Sequence, residues 1–150
     1  EVLMEEYVPL GHSEFSSVVN KFKNDKPDVI FSTVVGDSVV ALHKQYRAAG
    51  LDPEKMPMCS LTTSENEVAA MGGDAAAGHL TSAPYFMVHE SAENEKFVSA
   101  YKKRWGSDKV THFVSEPAYF GVGIFKQALE KIGKAGDINP TAIMEACKGQ

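Results

Sequence analysis

Two stretches of the chain share one local plan, in which a short apolar run gives way to small polar residues and then to the start of a helix. They are DVIFSTVVGDSVV at residues 28–40 and PMCSLTTSENEV at residues 57–68. Short runs rich in β-branched residues are typical of strands covered on both faces. The polar residues after each run predict turns at the ends of two such strands. This plan restricts the fold to alternating strands and helices.

Four strands are predicted, over residues 2–8, 29–35, 57–61 and 78–83. Helical patterns lie between and after them, the longest over residues 91–105 and 116–132. This alternation predicts an α/β fold with a doubly wound parallel sheet. Such sheets bind ligands outside the carboxyl ends of their strands, where helix N-termini and free backbone N–H groups converge. We therefore expect the polar turns to line a cleft.

Composition excludes several functional classes. The 150 residues are 43% hydrophobic and 23% charged with a net charge of −5, which is typical of a globular domain and disfavours a nucleic-acid or acidic-membrane partner. The basic run from Lys102 to Arg104 is interpreted as a solvated helix face. Cys59 and Cys147 are interpreted as buried thiols, with a disulfide left open. The chain has no signal peptide and no run of about 18 apolar residues; since it begins without Met, we interpret it as a fragment.

The polar turn at residues 62–64 offers hydroxyl groups and no titrating base. Hydroxyls both donate and accept hydrogen bonds, which suits a neutral solute such as an amide. Ser64 and Glu67 have the spacing of a capping box. Thr62 and Thr63 are therefore either solute contacts or part of the same helix start. Tyr85 and Tyr119 are the aromatic residues expected near the cleft, with core packing as the alternative.

An enzymatic alternative comes from Gly36-Asp37-Ser38, which resembles the nucleophile block of GDS-type esterases. That family needs a later Asp-x-x-His, and the only near match, from Asp108 to His112, is one residue too long. The spacing matters because the Asp orients the His that takes the proton from Ser. Asp37 as a helix cap explains the same residues. The five histidines show no metal-ligand spacing, so neither a metal nor a cofactor is predicted.

Several segments together resemble the second lobe of type I periplasmic-binding-fold proteins of the amide and urea branch. They are EEYVPLGHSEFSSVVNKFKNDKPDVIFSTVVGDS, SLTTSENEVAAM, SAPYF and EPAYFGVGIFKQALEKIG. FSTVVG, SLTTSE and APYF are most similar to amide-sensing regulators of aliphatic amidase operons, and the rest also to urea and short-chain-amide binding components of ABC transporters. The resemblance implies non-enzymatic binding of a small amide or urea in a two-lobed cleft. The protein would act in the periplasm with an ABC permease as its partner or, alternatively, in the cytoplasm with an antitermination regulator.

The resemblance also implies which residues contact the solute. These are Val35, Gly36, Thr62, Thr63 and Tyr85 in the turns after three strands, together with Tyr119, which is similar in position to a cleft aromatic of the branched-chain amino-acid relatives. Those relatives carry an acidic residue near Thr63 that meets the ligand's ammonium group. Hydroxyls there suit a ligand without a charged amine, and branched-chain amino-acid binding is kept as an alternative.

By the same resemblance, residues 1–150 are a partial second, C-terminal lobe, and the first lobe is absent. The lobe's own first strand and helix would precede Glu1, and that strand would lie between the strands at residues 2–8 and 29–35. Its removal would leave two open strand edges within one sheet, which favours pairing with another chain. We expect either a longer protein or a strand-swapped, intertwined dimer.

Overall fold

A computed structural model describes residues 1–133 and 137–149. The chain forms two compact units, Glu1–His112 and Phe113–Gln150. Unit 1 contains α1 (Ser16–Asp25), β1 (Ile30–Ser32), α2 (Asp37–Ala48), β2 (Met58–Ser60), α3 (Glu65–Met71), α4 (Gly73–Ala76), β3 (Leu80–Thr81) and α5 (Ala92–Trp105). Unit 2 contains α6 (Ser115–Ile132) and α7 (Pro140–Cys147).

The sheet of unit 1 is parallel, with strand order β1-β2-β3. Ile30 lies opposite Met58, and Cys59 lies opposite Leu80. The α/β class and three of the predicted strands are confirmed. The prediction that the first of these is covered on both faces is wrong, because Ile30 and Ser32 are buried while Phe31 is 67% exposed. An apolar run cannot show whether a second layer covers it.

Residues 2–8, predicted as a strand, form none. In the described part of the chain β1 pairs only with β2, and residues 2–8 line the far side of a groove of about 830 Å³ along β1. The segment is held by its side chains instead, since Met4 and Val8 pack against the core and Glu6 pairs with Lys21. A strand requires a neighbour for its backbone hydrogen bonds, and the alternating pattern alone does not supply one.

The main core lies between α1, α2 and the first two strands. Its buried members are Phe15, Val19, Phe22, Ile30, Leu42, Tyr46, Met56 and Met58. The predicted apolar stripes of α1 and α2 therefore face this core. Tyr46 is fully buried, and its hydroxyl donates to the Met56 carbonyl at 2.7 Å, so burial leaves no polar atom of its side chain unpaired.

The start of α1 differs from the sequence prediction, which gave Ser13 as its cap. The N-cap residue is Phe15, and its backbone N–H donates to Gln45 Oε1 of α2 at 2.8 Å. Gln45 Nε2 also donates to the Ser13 carbonyl at 2.6 Å. A side chain 30 residues away in sequence thus does what a local cap would do, and it ties the two helices together.

Unit 2 is a pair of packed helices. Along the predicted apolar stripe of α6, Ala128 is fully buried while Phe120 is 45% exposed. Asn139 caps α7 by accepting the Ala142 N–H at 3.0 Å, and Pro140 occupies the first helical turn, as the sequence predicts.

Substituting Gly78 will test how closely the residue before His79 and β3 packs against Pro53. Its φ is +83°, and a Cβ there would lie 2.7 Å from Pro53 Cγ. Gly72 also has a positive φ of +88°, but a Cβ there would meet nothing within 4 Å. Urea denaturation should show Gly72→Ala losing about 1–3 kcal/mol from backbone strain alone, and Gly78→Ala losing about 1–3 kcal/mol more from the added clash. Equal losses would contradict the packing described here.

Candidate functional site

The turns after β1, β2 and β3 lie together at the carboxyl edge of the sheet. They comprise residues 33–36, 61–64 and 82–91. Because the three strands are parallel and adjacent, these turns are neighbours in space. Every predicted site residue of unit 1 falls within them: Val35, Gly36, Thr62, Thr63 and Tyr85.

The turn after β1 exposes backbone donors. Gly36 is the N-cap residue of α2, with φ 62° and ψ −138°, a conformation that favours glycine. No side chain caps this helix, and within the described chain the N–H groups of Val35, Gly36 and Asp37 donate to no protein acceptor. Val35 is 41% exposed. Asp37 is the first helical residue rather than the cap, which corrects the sequence interpretation.

The turn after β2 uses its hydroxyl groups to join neighbouring segments. Thr62 Oγ1 donates to the Val34 carbonyl in the turn after β1. Thr63 is buried, and its Oγ1 donates to Ser60 Oγ at 2.8 Å. Thr81 Oγ1 of β3 in turn donates to the Thr63 carbonyl at 2.6 Å. The two threonine hydroxyls predicted to face the solute therefore donate their protons within the protein. Thr63 is buried, and Thr62 Oγ1 also accepts from Ser60 Oγ at 3.2 Å, which leaves Thr62 one lone pair for an outside donor.

The start of α3 confirms the predicted capping box. Ser64 N–H donates to Glu67 Oε2 at 2.9 Å, and the Ser64 side chain accepts the reciprocal bond. Glu65 Oε1 accepts the Met87 N–H, which fastens the loop after β3 to this helix. Glu65 Oε2 is buried and has no hydrogen-bond partner among the described residues.

The loop after β3 is held by a polar cluster around Tyr85. The Tyr85 hydroxyl donates to Asn94 Oδ1 at 2.7 Å and lies 3.1 Å from Thr111 Oγ1. Asn94 Nδ2 donates to the carbonyls of Met87 at 2.9 Å and His89 at 2.6 Å. Asn94 and Thr111 are both buried and went unpredicted. A predicted cleft residue thus has its hydroxyl fixed from inside the protein.

The sequence gives only part of the signal for these missed residues. Ser91 caps α5 by accepting the Asn94 N–H at 3.1 Å, and a Ser three residues before a polar residue is visible as a helix start. The partners of the Asn94 side chain are set by tertiary packing. Ser60, another missed residue, is a polar residue at the last position of an apolar run, which marks the carboxyl end of β2.

The esterase alternative lacks its catalytic base. Ser38 is 2% exposed, and its Oγ has no hydrogen-bond partner in the described chain. Asp108 pairs with Lys109 at 2.9 Å, which lowers the pKa of the Asp108 carboxyl. His112 Nε2 lies 3.6 Å from Glu67 Oε1. Among the described residues Ser38 Oγ therefore has no histidine partner, which a serine hydrolase needs as its base.

The remaining predicted residue, Tyr119, lies near the start of α6 in unit 2 and is 55% exposed. Its place in a cleft stays a prediction. The described residues hold no cluster of three or more His, Cys, Asp or Glu that could bind a metal ion. Within the same residues, no helix combines the length and apolar character needed to span a membrane.

Substituting Thr62 will test whether its hydroxyl joins two turns. Thr62→Val keeps the shape of the side chain but removes the donor to the Val34 carbonyl, and should lower the free energy of unfolding by about 1–2 kcal/mol. Thr62→Ser keeps the hydroxyl and should recover most of that loss. Urea denaturation of both variants measures the difference. A Thr62→Val variant that is as stable as the wild-type protein would show that the bond to Val34 does not contribute to stability.

Comparison with known proteins relates the whole chain to one family. A family model described as periplasmic binding protein domain matches residues 1–150. The Leu/Ile/Val-binding protein homolog 6 of Brucella suis biovar 1 is 28% identical over 145 residues, which are 95% of this chain and 36% of that protein.

Solved structures show the same fold. A solute-binding protein of an ABC transporter from Rhodopseudomonas palustris BisB5, in complex with 3,4-dihydroxybenzoic acid, has a TM-score of 0.76 at 30% identity, covering 95% of this chain and 39% of that one. An ABC transporter solute-binding protein from R. palustris in complex with 4-hydroxybenzoate has a TM-score of 0.77 at 26% identity, covering 93% and 38%. The chain thus spans well under half the length of the proteins it matches.

Proposed function

Because this chain belongs to the periplasmic binding protein domain family, we propose that it is part of a solute-binding protein that works without catalysis and delivers a small solute to an ABC permease. The family match over residues 1–150 supports this proposal. So does the likeness to a solute-binding protein at 30% identity. In this proposal residues 1–150 form part of the second lobe, the first lobe supplies the opposite wall of the cleft, and the protein acts in the periplasm.

A small neutral amide or urea is our proposed solute. The observation that carries this choice is that, within the described chain, the backbone N–H groups of Val35, Gly36 and Asp37 have no protein acceptor, so that a ligand oxygen can replace water at them. The Asp37 carboxylate begins the same helix, and its negative charge disfavours a second carboxylate at these donors. An amide or urea carbonyl satisfies the donors without that repulsion. One of its N–H groups can donate to the remaining lone pair of the Thr62 hydroxyl.

An aromatic carboxylic acid is the second candidate. The R. palustris relative at 30% identity is described in complex with 3,4-dihydroxybenzoic acid, and another at 26% with 4-hydroxybenzoate. The same free N–H groups could receive a carboxylate, and the Tyr85 ring could stack on an aromatic ligand. Leucine-like amino acids rank below both, since hydroxyls stand near Thr63 where the branched-chain amino-acid relatives carry the acidic residue that meets the ammonium group. A cytoplasmic amide sensor with an antitermination partner is the alternative role for an amide-binding protein.

Isothermal titration calorimetry on the protein with both lobes will separate these candidates. Butyramide, acetamide or urea should bind at least about tenfold more tightly than 4-hydroxybenzoate or leucine, a difference of about 1.4 kcal/mol. Tighter binding of 4-hydroxybenzoate would overturn the amide proposal and keep the solute-binding function. Ester hydrolysis that is lost in Ser38→Ala would overturn both in favour of the esterase.

We also propose that the open edge of β1 is covered in the working protein, either by a strand of a longer chain or by a second copy. In the described chain β1 pairs only with β2, and a groove separates its other edge from residues 2–8. Val29 and Phe31 are 51% and 67% exposed. Residues 1–150 expressed alone should therefore form dimers in light scattering. A monodisperse monomer with a continuous sheet would contradict this proposal.

A further inference from the structure

His79 joins two strands through a ring nitrogen. It directly precedes β3, and its Nδ1 accepts the backbone N–H of Met58, the first residue of β2, at 3.0 Å. Met58 is fully buried, so water cannot accept its N–H, and the His79 ring nitrogen is the acceptor instead. An imidazole nitrogen that accepts an N–H carries no proton, and the neutral ring therefore holds its proton on Nε2.

The ring of His79 contacts two other rings in the described chain. The ring of His43, from α2, lies 4.9 Å away at 88°, and the ring of Tyr46 lies 5.0 Å away at 79°. His43 is 2% exposed, and its Nδ1 donates to the Val39 carbonyl at 2.9 Å, because a carbonyl can only accept. Two imidazoles in contact cannot both become charged without strong repulsion.

The nearby charged groups are already paired elsewhere. Arg47 of α2 pairs with Asp74 of α4 at 2.9 Å, and Asp52, before β2, pairs with Lys55 at 3.0 Å. In the described chain no carboxylate forms an ion pair with His79. Burial, then His43 and Arg47, lower the pKa of His79 to about 4. Burial also lowers the pKa of His43, partly opposed by its bond to Val39.

We propose that His79 is an acid-sensitive latch: when its Nδ1 gains a proton, it can no longer accept the Met58 N–H, and the start of β2 separates from the segment leading into β3. The bond lies next to the two β2–β3 pairs, Cys59 with Leu80 and Ser60 with Thr81. Thr81 donates to the Thr63 carbonyl, so loosening β3 reaches the turn after β2. Any resulting release of solute rests on the proposed function, whereas the latch itself does not.

The sign of the pH dependence follows from the lowered pKa. The opened or unfolded state takes up a proton with the ordinary pKa of about 6.5 for His, whereas the folded state takes it up at about 4. The stabilisation from the neutral ring is therefore fully present above about pH 6.5 and is lost as the pH falls from about 6.5 to 4.

The test is hydrogen exchange at the Met58 amide, expressed as a protection factor to remove the intrinsic effect of pH. Between pH 7.5 and pH 5 the wild-type protection factor should fall by at least about tenfold. In His79→Asn, where Oδ1 can accept the Met58 N–H without titrating, it should change by less than about twofold. A similar fall in both proteins would overturn the latch and point to His43 or to another group.

An NMR titration of the imidazole of the wild-type protein keeps the proposal testable if His79→Asn does not fold. The His79 ring of the folded protein should stay neutral until the pH approaches about 4, while the Met58 amide already loses protection as the pH falls below about 6.5. Protonation of His79 at about pH 6.5 with the Met58 amide still protected would overturn the proposal. Neither measurement needs a solute, so failure of the latch can be told apart from failure of the proposed function.

Discussion

Parallel pairing of β1, β2 and β3 is the constraint on which the rest of unit 1 depends. Because the strands run in the same direction, the turns that follow them all lie at the carboxyl edge of the sheet. That single fact places Gly36, Thr62 and Tyr85 in adjacent turns although they are far apart in sequence. The strands are only two or three residues long, so they form few backbone hydrogen bonds. Hydrogen bonds from side chains add further links between neighbouring segments. Thr62 to Val34 and Thr81 to Thr63 provide two of them.

These bonds change the chemistry expected of the site. Hydroxyls that looked available in the sequence donate within the protein, whereas the backbone N–H donors at the start of α2 have no protein acceptor among the described residues. Tyr85 follows the same pattern, since Asn94 accepts its hydroxyl proton. Recognition in the proposed cleft therefore depends on the backbone conformation fixed by Gly36 and on ring surfaces. A site built from main-chain donors selects solutes by shape and by where an acceptor oxygen sits.

Patterns within a short stretch of sequence predicted those strands and helix starts whose contacts lie within that stretch. The apolar runs around Ile30 and Met58 gave two strands, and the Ser64-Glu67 spacing gave the start of α3. Features that depend on distant partners could not be read in this way. Residues 2–8 alternate like a strand but pair with no other strand of the described chain, and the N-terminus of α1 is satisfied by Gln45 rather than by Ser13. The Asn94 and Thr111 contacts are likewise made only when α5 and the following loop pack against Tyr85.

The central claim is that the turn after β1 holds the solute through its free N–H groups. Amide chemical shifts of the two-lobed protein, recorded as butyramide is added, test it most directly. The largest hydrogen-bond shifts are predicted at the Val35, Gly36 and Asp37 amides, with little change at the Gly11 amide, which lies outside the three turns. Saturable binding that leaves the Val35, Gly36 and Asp37 amides unshifted would contradict the claim.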